Sequence, residues 1–310
     1  MKIRALVVSL AAVAMVAGCK PADPAQDPAA DARAAAEQVE FDAAQLAWRD
    51  SRRERLLAPD GWASLIGLHW LDPGVHRVGS DTDNGVRLAM GPEHLGLLRV
   101  DDNGIVFTPQ ADVLLDDAAM AGPAPLRTDL DPGGPSVISF DDGKGQATVI
   151  ERSDRLALRV RHADAPTRTG FTGLEYWPGG RDWVVEARFE PHPEGRTIQV
   201  ANVTGTLDEM PNPGVLVFER DGRQYRLEAL DEGGDELFLI YADRTSGHGS
   251  YGAGRYLYVP RPDAHGRVPV DFNHGYNPPC AFTAFATCPL PPPENRLDLA
   301  ITAGEKEYHH

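Results

Sequence analysis

The chain has 310 residues, of which 46 are acidic and 30 are lysine or arginine, and its formal net charge is −16. A protein this acidic repels phosphate backbones, so nucleic acid is disfavoured as a partner. Hydrophobic residues make up 42% of the chain, which is typical of a soluble globular protein, and the length is sufficient for one large or two smaller domains.

The N-terminus has the pattern of an export signal. Lys2 and Arg4 precede an apolar run over residues 5–16, and small residues lead to Cys19. The run is shorter than the roughly 20 residues that span a bilayer, so a transmembrane anchor is not expected. Val16-Ala17-Gly18-Cys19 resembles the lipobox of bacterial lipoproteins, which implies a signal peptide at 1–18 and a lipid on Cys19. The alternative is a plain signal peptide with a chance cysteine. We therefore expect a lipid-anchored protein of the cell envelope that faces the periplasm, on either membrane.

Two segments of different character follow the signal. Residues 19–40 consist mainly of Ala, Pro, Asp and Gln, a composition that predicts a disordered tether. Residues 41–59 are predicted to form a helix, because Ala44, Trp48, Arg52 and Leu56 are spaced four apart and Pro59-Asp60-Gly61 then ends the pattern.

The rest of the chain is predicted to be mostly β. Short apolar or alternating runs are separated by turn signals such as Asp83-Asn84-Gly85, Asp102-Asn103-Gly104 and Asp141-Asp142-Gly143. This pattern favours antiparallel units of the sandwich or barrel type. A segment rich in Ala, Pro, Gly and Asp between about 115 and 136 predicts a boundary between a small β unit at 60–125 and a larger one at 135–308.

The common cofactor and enzyme motifs are missing from the sequence. Residues 247–252 satisfy GxGxxG, but Arg255-Tyr256-Leu257-Tyr258-Val259 then predicts a strand, whereas a dinucleotide site requires a helix there. The sequence has no GxSxG, HExxH, P-loop or CxxC motif. We therefore expect neither a cofactor nor a metal.

A long segment near the C-terminus, from Asp271 to Arg296, is too rich in proline for a central strand or a helix. It contains Cys280 and Cys288, the two cysteines that remain if Cys19 carries a lipid. In an oxidising compartment these two are a candidate disulfide. A metal site that includes His274 and a pair of reduced, buried thiols are the alternatives.

Polar side chains in and before this segment give two hypotheses for a site. In the first, they line a pocket beside the proline-rich loop. The structural alternative to this hypothesis is that they hydrogen-bond to backbone groups of the loop while the loop closes the fold. In the second, a carboxylate and a histidine act as the general base of a hydrolase. The candidate binding or catalytic residues are Asp243, His248, Arg255, Asp271, Asn273, His274, Tyr276, Asn277, Thr283, Glu294, Asn295 and Arg296.

The same segment carries a family resemblance. Tyr276-Asn277-Pro278-Pro279-Cys280, then Cys288-Pro289-Leu290-Pro291-Pro292, and then Ala303-Gly304-Glu305-Lys306 resemble the signature of a bacterial domain-of-unknown-function family, DUF1684. Gly61-Trp62 and the set Asp243, Thr245, Tyr251 and Arg255 are similar to upstream blocks of that family. The resemblance extends from about residue 48 to residue 305. It implies membership but no reaction, because the family has no settled activity.

Together these observations predict a lipid-anchored envelope protein that binds a small ligand or an envelope partner. The alternative hypothesis is an envelope hydrolase that uses the cluster of Asp, His, Arg and Asn side chains. The sequence leaves open whether the protein is an enzyme.

Overall fold

The structure, a computed structural model, describes residues 28–309. The predicted signal peptide, the lipidation site Cys19 and the first part of the predicted tether lie outside the described residues. Within residues 28–309 we find no helix with the length and hydropathy that a transmembrane span requires.

The first element, α1, is a 29-residue helix from Pro28 to Leu56. It includes most of the helix predicted at 41–59 but begins earlier, so residues 28–40 are helical and the prediction of a disordered tether there is corrected. The reason is local. The run Ala29–Ala36 is rich in alanine, the residue with the highest helix propensity, and Asp31 lies in the first turn, where a carboxylate interacts favourably with the helix dipole.

The chain divides into two compact units, one ending at Ala43 and the other beginning at Ala44. Everything described below lies in the second unit. Its first half contains eleven strands: β1 Leu65–Leu71, β2 Gly74–Gly79, β3 Val86–Arg87, β4 Gly96–Asp101, β5 Gly104–Pro109, β6 Leu114–Leu115, β7 Ala118–Ala119, β8 Ala124–Leu126, β9 Ile138–Phe140, β10 Gly145–Arg152 and β11 Arg155–His162.

These eleven strands form two open sheets that share one core. The strand order is β1-β11-β10-β9-β6-β7 in the six-stranded sheet and β3-β2-β4-β5-β8 in the five-stranded sheet. The neighbouring strands pair antiparallel except for β2 and β3. Leu98 and Phe107 from one sheet lie in the same buried cluster as Phe140, Val149 and Leu158 from the other, so this half is a sandwich.

A short helix, α2 Pro166–Thr169, connects the sandwich to the second half. The remaining strands are β12 Val184–Pro191, β13 Thr197–Ala201, β14 Leu207–Pro211, β15 Gly214–Arg220, β16 Arg223–Ala229, β17 Glu236–Tyr241, β18 Arg255–Pro260 and β19 Arg267–Asp271. β16, β15, β12 and β19 form a four-stranded antiparallel sheet, while β13–β14 and β17–β18 are antiparallel pairs. Leu297, Leu299 and Ile301 of the C-terminal segment complete a core made with these strands.

The mostly β fold with an N-terminal helix and antiparallel sheets is confirmed, but the boundary between the two halves is not where the sequence placed it. Strands β9 to β11, assigned to the larger unit, pair with β1 and β6, and the sandwich core continues to Ala165. The pairing of β1 with β11 joins residues about 90 positions apart, and local composition cannot reveal such a contact.

The proline-rich segment forms neither a strand nor an α-helix. It contains three 3₁₀ turns, Phe272–His274, Pro279–Ala281 and Pro293–Asn295, and two of them begin with proline. Proline is compatible with the first position of a helical turn, where its missing N–H group would have no partner in any case.

Candidate functional site

A cavity of about 1460 Å³ lies beside the proline-rich segment. One wall comes from β10, β11 and the turn at residues 60–62, and another from β17 and β18. The helix α1 and residues 274–289 complete the lining. This volume lies above the usual range for small-molecule pockets, so the cavity has room for a ligand of considerable size.

Strand β11 places two arginines in the wall through simple alternation. Its sequence, Arg155-Leu156-Ala157-Leu158-Arg159-Val160-Arg161-His162, directs Leu158 and Val160 into the sandwich core. Successive side chains of a strand point to opposite faces, so Arg159 and Arg161 project from the other face, and both line the cavity.

Trp62 packs against both of these arginines. Its ring centre lies 5.5 Å from the guanidinium carbon of Arg159 and 5.8 Å from that of Arg161. Guanidinium groups interact favourably with the face of an indole ring at such distances. The tryptophan therefore fixes both side chains at the wall.

Neither arginine has a carboxylate partner among the described residues. Arg159 is only 6% exposed, and its one hydrogen bond is from Nη2 to Thr287 Oγ1 at 3.4 Å. The Nε atoms of Arg159 and Arg161 are both buried without an acceptor. The nearby carboxylate of Asp129 pairs with Arg152 at 2.6 Å instead.

The electrostatic consequence is visible in the arginine pKa values. Burial, together with the positive charges of Arg152 and Arg161, lowers the pKa of Arg159 to about 10. Burial also lowers the pKa of Arg161, and the carboxylate of Asp60 offsets this in part. The carboxylates of Asp129 and Asp60 therefore act on Arg159 and Arg161 from a distance, without forming an ion pair with either.

An adjoining part of the lining is aromatic. The ring of Phe238 makes an edge contact with Tyr256 at 4.9 Å and stacks on Tyr258 at 4.8 Å, and Tyr276 meets Tyr256 edge-on at 5.8 Å. Along β18, Tyr256 is buried whereas Tyr258 is 41% exposed, so the cluster extends from the interior toward solvent. Such rings present an apolar, preorganised surface to a ligand.

His274 and Tyr276 are the two candidate residues from the sequence that line the cavity. The imidazole of His274 stacks on Trp48 with ring centres 4.5 Å apart, and its Nε2 lies 3.6 Å from a carboxylate oxygen of Asp271. Burial lowers the pKa of His274, although Asp271 opposes that shift. Tyr276 carries the guanidinium of Arg52 over its ring at 4.6 Å.

Asp243 and Arg255 belong to a closed buried network. Arg255 Nη2 donates to Asp243 Oδ2 at 2.6 Å, with 1% and 0% of the two side chains exposed. Arg255 also donates to the carbonyls of Ile301 and Ala303, while Asp243 Oδ1 accepts from the N–H and hydroxyl groups of Thr245. Their hydrogen-bonding groups connect three chain segments, and neither residue lines the cavity.

The asparagine candidates hold the irregular backbone. Asn273 exchanges hydrogen bonds with both backbone groups of Gly180, and Asn295 does the same with Glu228. The side-chain amide of Asn277 donates to the carbonyl of Lys306 at 2.7 Å, and its backbone N–H donates to the buried carboxylate of Glu305. Irregular buried backbone requires such partners, so these side chains act in the way that the structural alternative predicts.

The other candidates lie away from the cavity lining. Thr283 is buried, and its hydroxyl accepts the N–H of Phe285. Asp271 is half-buried and accepts from Gln45 Nε2 at 2.9 Å. His248, Glu294 and Arg296 are exposed.

Cys280 and Cys288 are free thiols, so the predicted disulfide is absent from the structure. The N–H of Cys280 donates to Cys288 Sγ at 3.1 Å. A hydrogen bond from Cys288 lowers the pKa of the Cys280 thiol, whereas that bond and burial raise the pKa of Cys288. Only Cys288 lines the cavity.

Metal-ligating side chains come together at one place in the described residues. Asp81, Asp83 and His94 have ligand atoms within 4.8 Å of one another in the sandwich. These residues are exposed or half-exposed, and Asp83 faces Arg77 at 3.5 Å. The cluster is therefore a group of charged and titratable side chains at the protein surface.

Sequence reasoning did not single out Trp62, Arg159 or Arg161 as site residues. The available signal was the Leu-Arg-Val-Arg alternation of β11, which is also the pattern of a strand with one face in water.

The comparisons with known proteins concern mainly the second half of the chain. The family model "Protein of unknown function (DUF1684)" matches residues 169–306. The chain is similar to an uncharacterized protein of Haloarcula marismortui solved by NMR, with 31% identity over 45% of this chain and 78% of that one and a TM-score of 0.38. No curated protein matches the chain. The match is shorter than the resemblance that the sequence suggested, but it includes the whole proline-rich signature, and the chain belongs to the DUF1684 family.

Proposed function

We propose that this protein is a lipid-anchored binding protein of the cell envelope, which takes a small ligand into the cavity lined by the two arginines and the aromatic cluster. The observation that carries the proposal is the lining itself: Trp62 with Arg159 and Arg161, and next to them the cluster around Tyr256. Concave sites with aromatic walls and a few directed polar groups are the usual form of ligand pockets.

The proline-rich segment supports this role by forming part of the rim. Its residues 286–289 lie on the cavity, while Asn277 and Asn295 tie other parts of the segment to the fold. A rim held by buried hydrogen bonds is preorganised, so less conformational entropy is lost when a ligand binds.

The envelope location rests on the sequence of residues 1–19, with its charged start, apolar run and lipobox-like end. Replacing Cys19 with Ser is expected to abolish incorporation of radiolabelled palmitate and to release the protein from the membrane fraction. Equal labelling of the variant and the parent would contradict the lipid anchor.

Binding is favoured over the hydrolase hypothesis by the placement of the candidate residues. Of Asp243, His248, Arg255, Asp271, Asn273 and His274, only His274 lines the cavity. General acid–base chemistry requires its groups within hydrogen-bond reach of one substrate, and this set does not converge on one space.

The test is native mass spectrometry of the full-length protein purified from its own envelope. We expect a retained ligand mass in the parent protein and its loss in Trp62→Ala. Trp70→Ala is the matched control, because Trp70 is a half-buried tryptophan of β1 outside the cavity lining. Absence of any ligand mass from the parent, or equal retention in both variants, would refute the proposal.

A further inference from the structure

The positive charge at Arg159 and Arg161 is an unusual feature of the cavity. Removing a guanidinium from water without pairing it is costly, and buried arginines are normally paired with carboxylates. The other two buried arginines among residues 28–309 follow this rule: Arg52 pairs with Glu305 and Arg255 with Asp243, each within a buried network. Arg159 is equally buried and has only a long hydrogen bond to Thr287.

The packing around the two arginines keeps them in this position. Trp62 contacts both guanidinium groups, and the pairing of β11 with β1 and β10 fixes the strand that carries them. The neighbouring Arg152 adds repulsion, although its own charge is compensated by Asp129. The Nε–H donors of both guanidinium groups are therefore buried without an acceptor.

We propose that Arg159 and Arg161 form an oxyanion subsite that binds a phosphate monoester group of the ligand. This inference rests on the proposed function, since it names the chemical class of the ligand in the same cavity. Two guanidinium groups without an ion-pair partner match a dianion, and a phosphate monoester carries a charge between about −1.5 and −2 at pH 7.

The geometry favours a phosphate over a single carboxylate. Side chains two residues apart on a strand start about 6.5 Å from each other, so two guanidinium groups can converge on one tetrahedral group with three acceptor oxygens. Guanidinium–phosphate contacts are charge-assisted and often bidentate. The hydroxyl of Thr287 lies against Arg159 and offers a further donor.

The remainder of the lining indicates what the phosphate is attached to. Met210, Phe238 and Ala286 belong to one apolar cluster of the wall, and Leu130 lies on the lining while 65% exposed. The lining also contains six carboxylates, those of Asp60, Asp129, Glu151, Asp208, Glu232 and Glu236. A ligand with a phosphate at Arg159 and Arg161 therefore reaches apolar surface where the body of the ligand lies against this cluster of Met210, Phe238 and Ala286. The bound group is either free inorganic phosphate or the phosphate of an amphiphile, and the relative affinities of these two probes distinguish the sources.

The experiment is isothermal titration of the full-length protein in neutral phosphatidylcholine nanodiscs, with empty nanodiscs as the reference. The probes are inorganic phosphate, dihexanoyl phosphatidic acid and its uncharged counterpart dihexanoylglycerol. We expect phosphatidic acid to bind at least about tenfold more tightly than dihexanoylglycerol, with an affinity that falls as salt is raised. Phosphatidic acid binding more tightly than inorganic phosphate assigns the site to an amphiphile, and the reverse order assigns it to free phosphate.

Variants test the two arginines directly. Arg159→Met and Arg161→Met are each expected to reduce phosphatidic acid affinity about tenfold or more and so to remove most of its preference over dihexanoylglycerol. Arg155→Met is the matched control, because Arg155 lies on the same strand but is exposed, stacks on Trp70 and does not line the cavity. We also expect the melting temperature of the ligand-free Arg159→Met protein to equal or exceed that of the parent, because the variant removes an unpaired buried charge. Arg159→Lys, which retains charge without the planar fork, provides a second variant if methionine prevents folding.

The outcomes distinguish failure of this inference from failure of the proposed function. Equal affinity for phosphatidic acid and dihexanoylglycerol, or unchanged phosphatidic acid affinity in both methionine variants, overturns the phosphate subsite but leaves cavity binding intact. Absence of binding by all three probes overturns the phosphate subsite, and if the native spectrum also shows no retained mass, it overturns the proposed function as well.

Discussion

The buried pair Arg255–Asp243 gives the sharpest test of how this fold is held together. Arg255→Met removes the guanidinium and leaves the Asp243 carboxylate buried, with the N–H and hydroxyl groups of Thr245 as its remaining donors. It also removes the donors to the carbonyls of Ile301 and Ala303, which attach the C-terminal segment. We expect large destabilisation without a direct effect on cavity binding.

The magnitude follows from the burial of both groups. Breaking one partner of a buried ion pair costs about 3–5 kcal/mol. For a folded unit of this size, that loss corresponds to a decrease in melting temperature of about 6–20 °C. Arg261→Met is the matched control, because Arg261 pairs with Asp231 at 2.7 Å but is 42% exposed, and an exposed pair contributes only about 0–1 kcal/mol.

The assay is urea unfolding at pH 7. It compares the parent with Arg255→Met, with the control Arg261→Met and with the double variant Arg255→Met/Asp243→Leu. The double variant should recover part of the loss, since no unpaired charge remains buried. A loss below about 1 kcal/mol for Arg255→Met, with an unchanged dependence on urea, would refute the structural reading of this pair. A stable Arg255→Met protein that failed to bind ligand would instead support the catalytic or binding role that the sequence suggested.

Three further predictions concern single positions. Burial lowers the pKa of His274 and of His69, so each binds a proton more readily when unfolded. The free energy of unfolding should therefore fall as pH drops below about 6.5, and His274→Gln should reduce that slope in urea titrations between pH 7.5 and 5.0. Gly304 has φ +79°, and a Cβ there would meet the carbonyl oxygen of Gly275, so Gly304→Ala should lower the free energy of unfolding by at least about 1 kcal/mol, whereas a neutral result would contradict the tight approach. The thiol of Cys280 should react with iodoacetamide before that of Cys288, because its pKa is lowered and it is less buried. A mass two hydrogens lower, with no alkylation, would show a disulfide instead.

Several features of the protein follow from local sequence alone. Turn residues at short intervals indicated antiparallel β structure, and proline excluded regular strands from the segment 271–296. The spacing of Trp48, Arg52 and Leu56 predicted a helix, because backbone preference and side-chain periodicity are properties of a short stretch. The signature of residues 271–306 was sufficient to predict the family, which is confirmed.

The roles of the candidate site residues depend on contacts that local sequence does not contain. Asp243, Arg255 and Asn295 have the chemistry of functional residues, and only their partners across the fold identify them as hydrogen-bonding supports. A polar side chain in an irregular segment is equally compatible with both roles until its acceptors and donors are known.

Arg159 and Arg161 show the opposite difference: in the sequence they resemble ordinary surface residues, whereas in the structure they line the cavity. On β11 they alternate with Leu158 and Val160, which by itself describes a strand with one face in the core and the other in water. The tertiary structure decides otherwise, because the turn carrying Trp62 and the segment around Thr287 lie against that second face, which lines the cavity. Sequence determines which residues share a face of a strand, whereas the surroundings of that face, and the cost of leaving its charges unpaired, depend on contacts between residues far apart in the chain.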